Sequence, residues 1–419
     1  MLTFKSYIRL IEEGGAAGHM AHPFDLPFVR SGKDLINLFE KVRMNLKTTP
    51  AVVKIDGVNC SIKLVTNDDG SMEFGLDRGS KNPLDVKGIT IKDLTSRFPE
   101  GHGFIEVGKT VLEIFNKSLP TISGDLKKLG FLKNKNLILN TEYVAGSTNV
   151  IGYAENFLAI HGINESYEFK SPVRGSISRK TREVAYNAEA LEDLISKVNP
   201  IAEQYGFKIY SSVAATIKTD IDYTPSLNTK LSIHYTPEHV VTKTLRAWLE
   251  RCGNPIGTPI KLVSGKTVDA VSKNLYLSIL NGTPLTDIVE DGNKKQDDAA
   301  VCGAVIYHAT RLLGNAVLTS MTSSIGDLEN QEGIVIRDPK ISPTPFKITG
   351  EFIVRGMASV FKKEDDEELE GSPIQDVTHG IGDSNYLDYD NENSQNNGRS
   401  YINTVMGDQG GRHLDFQGM

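Results

Sequence analysis

Residues 52–64 read VVKIDGVNCSIKL, two apolar runs on either side of a short polar turn. Such a pattern is typical of two β-strands joined by a tight connection. Lys54 lies at the end of the first run, and Asp56, Gly57 and Asn59 follow it in the turn. Because glycine has no side chain, the backbone at Gly57 can approach a ligand closely. This stretch therefore presents an amine beside a tight turn in a predicted sheet.

The amine of Lys54 has two interpretations from the residues alone. It is either an ordinary solvated lysine ahead of a turn or a nucleophile. A nucleophilic lysine first has to lose its proton, and the pKa of a free lysine is about 10.4. Neighbouring cations and partial burial both favour the neutral amine. A reactive Lys54 therefore predicts a positively charged, partly buried pocket.

Further strand-like runs lie on both sides of this stretch, separated by turn signals such as NDDG and RGSKNP. Helical spacing of apolar residues is found between some of these runs and in a longer region before the last two. The order is β-rich, then helical, then β-rich, which predicts an α+β fold, an antiparallel sheet with a helical insertion. The predicted strands are AVVKID, CSIKLV, MEFGLD, LILNTEYV, FLAIHGI, EGIVIRDP and FKITGEFIVRG, and the predicted helices cover 33–46, 104–119, 183–206, 237–253 and 297–314, the last ending at Gly314.

These patterns divide the chain into four predicted segments. Residues 1–48 form an N-terminal helical segment with a Gly-rich turn, and residues 49–235 together with 322–363 form the sheet-bearing core. Residues 236–321 are the helical insertion. Residues 364–419 are rich in Asp, Asn, Gly and Ser, so they cannot bury much apolar surface and are predicted to be a mobile tail.

Charge is distributed unevenly along the chain, whose formal net charge is −7. Residues 364–419 hold 13 acidic and two basic side chains, a net charge of −11, so the rest of the chain carries +4. The body is therefore compatible with a polyanionic partner, although many domains of similar charge bind no nucleic acid. Residues 174–182, RGSISRKTR, either line a phosphate-backbone path with Arg174, Arg179, Lys180 and Arg182 or form a solvated loop.

Cysteine usage and hydropathy bear on the cellular compartment. The chain has three scattered cysteines with no CxxC pair, which indicates a reducing compartment and no disulfide framework. No apolar run reaches the roughly 20 residues that a membrane span needs. Acidic residues interrupt the apolar pattern of the N-terminus, which argues against a secretory signal. We therefore expect a cytoplasmic protein without a membrane partner.

The spacing KxDGxNxxI, formed by Lys54, Asp56, Gly57, Asn59 and Ile62, resembles the nucleotidyl-lysine motif of the covalent nucleotidyltransferases. This superfamily includes polynucleotide ligases and mRNA capping enzymes. The asparagine and the apolar run after it are most similar to the second RNA ligase family, found in phages and in kinetoplastid RNA editing. The resemblance implies an ATP-grasp-like adenylylation core in which Lys54 accepts AMP and Asn59 lies near the phosphates or the metal ion.

Two downstream stretches resemble further motifs of the same family. In LDRGSKNPL, Arg78 would contact ribose or the nucleic-acid end, although the residues alone also fit a plain turn between strands. In residues 139–163, Glu142 would bind the ribose hydroxyl or a metal-bound water. The family's closing strand ends in an aromatic residue and an aspartate, whereas this chain has His161 and Gly162. His161 would then stack on adenine, or, taken by itself, serve as a hydrogen-bonding residue at a strand end.

The last two motifs lie near residue 340. NQEGIVIRDP resembles the family's EGxVxR strand through Glu332, Gly333 and Arg337, and its carboxylate would hold Mg²⁺ against the triphosphate. FKITGEF resembles the final motif strand, in which Lys347 would contact the α-phosphate. The family's second lysine in this strand is replaced by Thr349, so part of the expected positive charge is missing.

Together the motifs imply an ATP-dependent, Mg²⁺-dependent RNA ligase that works through a lysyl-AMP intermediate. DNA ligases and capping enzymes carry an OB domain after the last motif, whereas here the acidic tail follows, which is too polar to form one; this favours RNA ligase. Two alternatives stay open: a DNA ligase or capping-like transferase with a different acceptor, and a non-catalytic nucleotide- or nucleic-acid-binding descendant with a structural role. The oligomeric state stays undetermined. The implied nucleotide-binding residues are Asp56, Gly57, Asn59, Arg78, Glu142, His161, Glu332 and Arg337, with Lys54 and Lys347 catalytic and Glu332 and Glu142 as metal ligands.

Overall fold

The computed structural model describes residues 20–145, 151, 153–170, 177–229, 244–280, 282–290 and 294–350. The predicted N-terminal helix, Arg174 and the predicted acidic tail lie outside the described residues. Helices and mainly antiparallel strands make up what is described, which confirms the α+β class predicted from the sequence. Two compact units divide these residues: unit 1 is Ile55–Val213, and unit 2 is Met20–Lys54 together with the described residues from Ala214 onward.

The strands and helices are numbered in chain order. The strands are β1 (Ala51–Lys54), β2 (Val58–Asn59), β3 (Ile62–Thr66), β4 (Met72–Leu76), β5 (Leu137–Val144), β6 (Phe157–Lys170), β7 (Ile177–Glu183), β8 (Lys208–Tyr210), β9 (Ala214–Ile217), β10 (Pro259–Lys261), β11 (Thr267–Asp269), β12 (Met321–Ser323), β13 (Gly326–Asp327), β14 (Gly333–Ile336) and β15 (Phe346–Thr349). The helices are α1 (Gly32–Leu46), α2 (Pro83–Lys87), α3 (Leu94–Arg97), α4 (Phe104–Lys128), α5 (Ala188–Ala202), α6 (Thr224–Leu227), α7 (Leu245–Arg251), α8 (Lys273–Leu280), α9 (Leu285–Ile288) and α10 (Lys294–Thr319).

Unit 1 is built on a seven-stranded sheet in which β4, β3, β5, β6 and β7 are neighbours, with β2 beside β5 and β8 beside β6. The pairs are antiparallel except β6 with β8, which is parallel. The long helix α4 packs on β4 and on α5, and the two helices share one apolar core with the sheet. Phe74 and Phe115 meet edge to face in this core, with ring centroids 5.5 Å apart. The apolar spacing that predicted α4 therefore corresponds to its buried face.

Unit 2 is built on a six-stranded sheet in the order β13, β12, β9, β1, β14, β15. Successive side chains of a strand point to opposite faces of a sheet, and residues paired across strands share a face. Val53, Ile334 and Ile348 are paired across β1, β14 and β15, and all three are almost fully buried. Helix α10 contacts β12, β14 and β15. The apolar positions of these strands therefore belong to the core of unit 2, and the alternate positions carry its polar side chains.

The predicted helical insertion lies between two strands that are neighbours in this sheet. β9 and β12 pair antiparallel, with Thr216 opposite Thr322. Between them the chain forms the helices α6 to α10 and the hairpin of β10 and β11. The boundaries between the two units lie after Lys54 and after Val213. The boundaries between the predicted segments lie elsewhere, at residues 49, 236 and 322.

Helix α10 continues past Gly314, so the prediction that this glycine ends the helix is wrong. A Cβ atom at Gly314 would lie 2.2 Å from the carbonyl oxygen of Thr349 in β15. No real Cβ approaches a backbone atom so closely, so glycine is present because the strand backbone lies directly against the helix. Glycine marks helix ends and close approaches equally well, and the sequence pattern does not separate the two.

By length and composition α10 is the one helix among the described residues that could cross a membrane. In its apolar 18-residue stretch, 72% of the residues are buried inside the protein. The buried core helix of a globular protein can be just as long and apolar. The contacts of α10 with β12, β14 and β15 are those of a core helix.

Replacing Gly314 by alanine should destabilise unit 2, because the new methyl group meets the backbone of β15. We expect a loss of about 1–3 kcal/mol, the usual cost of overpacking. The matched control is Gly124→Ala in α4, where a Cβ would meet nothing within 4 Å. That change should instead stabilise by about 0.5–1 kcal/mol, since glycine is a poor helix former.

Both variants are compared by denaturant unfolding, followed by far-UV circular dichroism and by the fluorescence of the single tryptophan, Trp248 of α7. Trp248 lies in unit 2 and therefore reports on the unit that contains Gly314. Equal stability of Gly314→Ala and the parent protein would contradict the close approach of α10 and β15.

Candidate active site

Lys54 and Glu332 form an ion pair between the Nζ and Oε1 atoms. The pairing of β1 with β14 produces this contact, because Lys54 lies opposite Gly333 and Glu332 directly precedes it. The side chains are 24% and 6% exposed, so the pair is largely shielded from solvent. An amine and a carboxylate that were predicted separately, 278 positions apart in the sequence, are therefore brought into direct contact within unit 2.

Lys347 and Thr349 lie on the same face of the unit 2 sheet as Lys54. Thr349 is opposite Gly333, which is itself opposite Lys54, so the three residues form one row across three strands. Lys347 is two residues before Thr349 and therefore shares its face. Two strand spacings separate β1 from β15, roughly 10 Å between their backbones. Lys347 is 5% exposed, and its backbone N–H donates to the Ala21 carbonyl at 2.8 Å.

Arg337 is exposed and follows the far end of β14. It lies four residues beyond Gly333, the partner of Lys54, so the backbones of Arg337 and Gly333 are roughly 13 Å apart along the strand. The structure therefore brings Glu332 and Lys54 together but leaves Arg337 at the other end of the same strand.

Glu142 uses both of its carboxylate oxygens within unit 1. Oε1 accepts the backbone N–H of Gly57 at 3.1 Å, and Oε2 lies 2.7 Å from Nε2 of His161. A Cβ at Gly57 would lie 2.7 Å from the carbonyl oxygen of Tyr143 and 2.8 Å from Cγ of Glu142. Gly57 is therefore required by the close approach of β5, and Glu142 is fixed to the turn that follows Lys54 in the sequence.

His161 lies in a β-bulge of β6. Asn140 pairs with Gly162 and Thr141 pairs with Ile160, so one residue of β6, His161, has no opposite number on β5. A bulge turns the side chain of the extra residue away from the ordinary alternation of the strand. This irregularity accompanies the contact of His161 with Glu142, and the sequence did not predict it.

Asp56 is 4% exposed and holds the turn after Lys54. Its Oδ2 atom accepts the N–H of Ile151 at 2.9 Å, and its own N–H donates to the hydroxyl of Tyr153 at 2.9 Å. Both partners lie in the segment between β5 and β6, almost 100 residues away in sequence. Tyr153 belongs to the stretch that resembled a ligase motif, but its contact with Asp56 was missed because nothing in the local pattern links the two.

Arg78 contacts the backbone of Asn59, the residue that pairs with Glu142. Nη1 of Arg78 donates to the carbonyl oxygen of Asn59 at 2.5 Å, and the guanidinium lies 4.3 Å from the ring centroid of Phe104. Burial lowers the pKa of Arg78. Asn59 is opposite Glu142 in the pairing of β2 with β5. In the described structure Arg78 therefore supports the backbone at Asn59.

Two arginines of the predicted basic stretch are paired with carboxylates. Arg179 donates to both oxygens of Asp77, at 2.6 and 2.5 Å, and Nζ of Lys63 lies 3.6 Å from the same carboxylate. Asp77 is fully buried. Burial is the main cause that lowers the pKa of Lys63, and Asp77 opposes it. Arg182 pairs with Glu165 at 2.6 Å. Arg179 therefore belongs to a buried network that the sequence analysis missed.

A magnesium ion would find few ready-made ligands in the part of the chain that the structure describes. No group of three or more His, Cys, Asp or Glu residues is arranged there to hold a metal ion. Mg²⁺ is usually held by one or two carboxylates together with substrate phosphates, so such a cluster is not required. Both predicted carboxylate ligands have the hard oxygen chemistry that Mg²⁺ prefers, and both already have partners: Glu332 is paired with Lys54, and Glu142 accepts from Gly57 and contacts His161.

Comparison with known proteins returns no match: no protein-family model, no curated protein and no solved structure is similar to the chain. The relation to the RNA ligases therefore stays a prediction carried by the motifs and their order.

Replacing Asp77 by asparagine should destabilise unit 1 strongly, because Arg179 and Lys63 would lose a buried anionic partner. Breaking one side of a buried ion pair typically costs about 3–5 kcal/mol. The control is Glu250→Gln, which removes an exposed partner of Arg246 on α7 and should change stability little. Thermal and urea unfolding of the two variants measure the difference. An Asp77→Asn protein as stable as the control variant would show that the network is unimportant for folding.

Proposed function

We propose that this chain is an ATP-dependent RNA ligase in which Lys54 carries the adenylate. The observation that supports the proposal most is the shielded ion pair of Lys54 with Glu332 on a sheet face that also bears Lys347. Lys54 is 24% exposed and ion-paired, so it is not the freely solvated lysine of the simpler interpretation. The motifs and their order supply the reaction class.

In the first step Nζ of Lys54 attacks the α-phosphorus of ATP. An N–P bond forms, the P–O bond to the β-phosphate breaks, and pyrophosphate leaves. The amine has to lose a proton for this attack, and the Glu332 carboxylate in contact with it can accept that proton. A neighbouring carboxylate favours the charged amine, which is the opposite of the cationic pocket predicted for a reactive lysine, so the proton has to be transferred within the ion pair before the attack. Glu332 thus fixes the position of the amine and takes its proton, which leaves a neutral amine and a neutral carboxyl group.

Lys347 provides positive charge on the face that carries Lys54. Cations aimed at the transferring phosphoryl group stabilise the charge that develops there, usually the largest single contribution to such catalysis. Thr349 offers a hydroxyl where the family has a second lysine, so the sheet face has one charge fewer than the motif requires. We therefore expect a slower first step than in ligases with both lysines.

The resemblance gives Glu332 a second role, in which it would be the protein ligand of a Mg²⁺ ion whose remaining ligands come from the phosphates. A carboxylate holds a metal ion only in its ionised form, so Glu332 would not accept the proton of Lys54 while it serves as that ligand. When bound, the ion would neutralise phosphate charge and make the pyrophosphate a better leaving group. The resemblance implies two further steps, in which AMP moves to a 5′-phosphate end and a 3′-hydroxyl then displaces it.

The proposal is tested by intact-mass spectrometry after incubation with MgATP. The parent protein should gain one adenylate, and Lys54→Ala should gain none. The control is Lys47→Ala, which removes another lysine of unit 2, paired with Asp220, and should leave the adduct unchanged. Glu332→Gln and Lys347→Met should slow adduct formation by about 10²-fold or more, the usual effect of losing a charged group at the reacting centre.

The acceptor is identified by supplying ATP or GTP and then nicked RNA or nicked DNA. Sealing of RNA after ATP supports the proposal. An adduct with GTP indicates a capping-like enzyme, and sealing restricted to DNA indicates a DNA ligase. A parent protein that forms no adduct with either nucleotide indicates the non-catalytic alternative and contradicts the proposal.

A further inference from the structure

His161 connects with the turn after Lys54 through Glu142. The Nε2 atom of His161 lies 2.7 Å from Oε2 of Glu142, whose other oxygen accepts the N–H of Gly57 at 3.1 Å. An ionised carboxylate only accepts hydrogen bonds, so this contact with an ionised Glu142 requires a form of His161 that carries a proton on Nε2. The three residues therefore form a hydrogen-bonded chain that ends on a backbone amide three positions after Lys54.

We propose that His161 is a positioning residue, which holds Glu142 so that Glu142 holds the backbone at Gly57. This inference rests on the proposed function, because the turn matters only if Lys54 is the nucleophile. It assigns His161 a role different from stacking on adenine, the role that the family resemblance implies. The two roles use different parts of the imidazole ring, since stacking needs its flat face and positioning needs its N–H group.

The geometry around Glu142 favours positioning. The side chains of His161 and Glu142 are 18% and 19% exposed, so their contact is mostly protected from water. Glu142 also packs directly on Gly57, because a Cβ there would lie 2.8 Å from its Cγ atom. Glu142 is thus held at one oxygen by the histidine and at the other by the turn.

The pairing of β5 with β6 brings His161 within reach of Glu142. His161 is the residue of β6 without an opposite number on β5, and Glu142 is opposite Ala159, two positions before it. In a regular strand, residues two positions apart lie roughly 7 Å from each other along the strand. Residues in this diagonal relation across two strands are within reach of long side chains, and the bulge lies directly at His161.

Two substitutions separate positioning from stacking. His161→Gln keeps an N–H donor at a similar distance from the backbone but removes the aromatic ring. His161→Phe keeps a flat aromatic ring but removes the donor. Positioning predicts that glutamine retains most of the parent behaviour and that phenylalanine loses it, whereas stacking predicts the opposite order.

Both variants are measured in two ways on the full chain. The first is amide hydrogen exchange of Gly57 in protein labelled with ¹⁵N-glycine, with the helical Gly108 amide as an internal reference. The second is the rate of adduct formation with MgATP. We expect faster exchange at Gly57 and an adduct rate lowered by about tenfold to a hundredfold in His161→Phe, since small misplacements near a reacting group have effects of this size. His161→Gln should stay within about threefold of the parent protein, because it keeps the donor.

Retained adduct formation in His161→Phe together with a loss in His161→Gln would overturn the proposal in favour of stacking. Unchanged exchange of Gly57 in both variants would also overturn it, because the hydrogen-bonded chain would then have no effect on the turn. The exchange measurement does not depend on catalysis. A parent protein without an adduct would therefore contradict the proposed function, while the exchange at Gly57 would still decide whether His161 holds the turn.

Discussion

The ion pair of Lys54 and Glu332 depends on one constraint, the register between β1 and β14. Because Lys54 is opposite Gly333, the carboxylate just before β14 reaches the amine at the end of β1. The same register, continued into β15, aligns Thr349 with Lys54 and places Lys347 on the shared face. A slip by one residue would turn these side chains to the apolar face beside α10. The buried row of Val53, Ile334 and Ile348 therefore fixes the chemistry of the opposite face.

The residues directly after Lys54 are held by a second set of contacts, all within unit 1. Asp56 is bound to Ile151 and Tyr153, and Gly57 is bound to Glu142. The motif that begins at Lys54 thus continues from the end of a strand of unit 2 into a turn whose polar groups are bound within unit 1. Asp56 and Gly57 are explained by this anchoring alone, so their presence in the motif has a structural reason beside any contact with a nucleotide.

Much of the secondary structure could be predicted because it follows from local periodicity. The apolar spacing of α4 and the short runs of β3, β4 and β14 correspond to buried faces, and each was predicted near its actual position. The sequence could not show contacts between distant residues, such as Arg179 with Asp77. It could not show the bulge at His161, because residues 157–163, FLAIHGI, are apolar at nearly every position and have no alternation that an extra residue would shift. It misplaced the end of α10, where Gly314 serves close packing.

The claim that Lys54 is the adenylate acceptor is tested most directly by locating the modification within the chain. After incubation with MgATP, tandem mass spectrometry of the digested protein identifies the modified side chain, and treatment with acid and alkali identifies the bond. A lysyl phosphoramidate breaks in acid and survives alkali, so we expect an acid-labile adenylate on Nζ of Lys54 and on no other residue. An adenylate on a different side chain, or one that is stable in acid, would contradict the account.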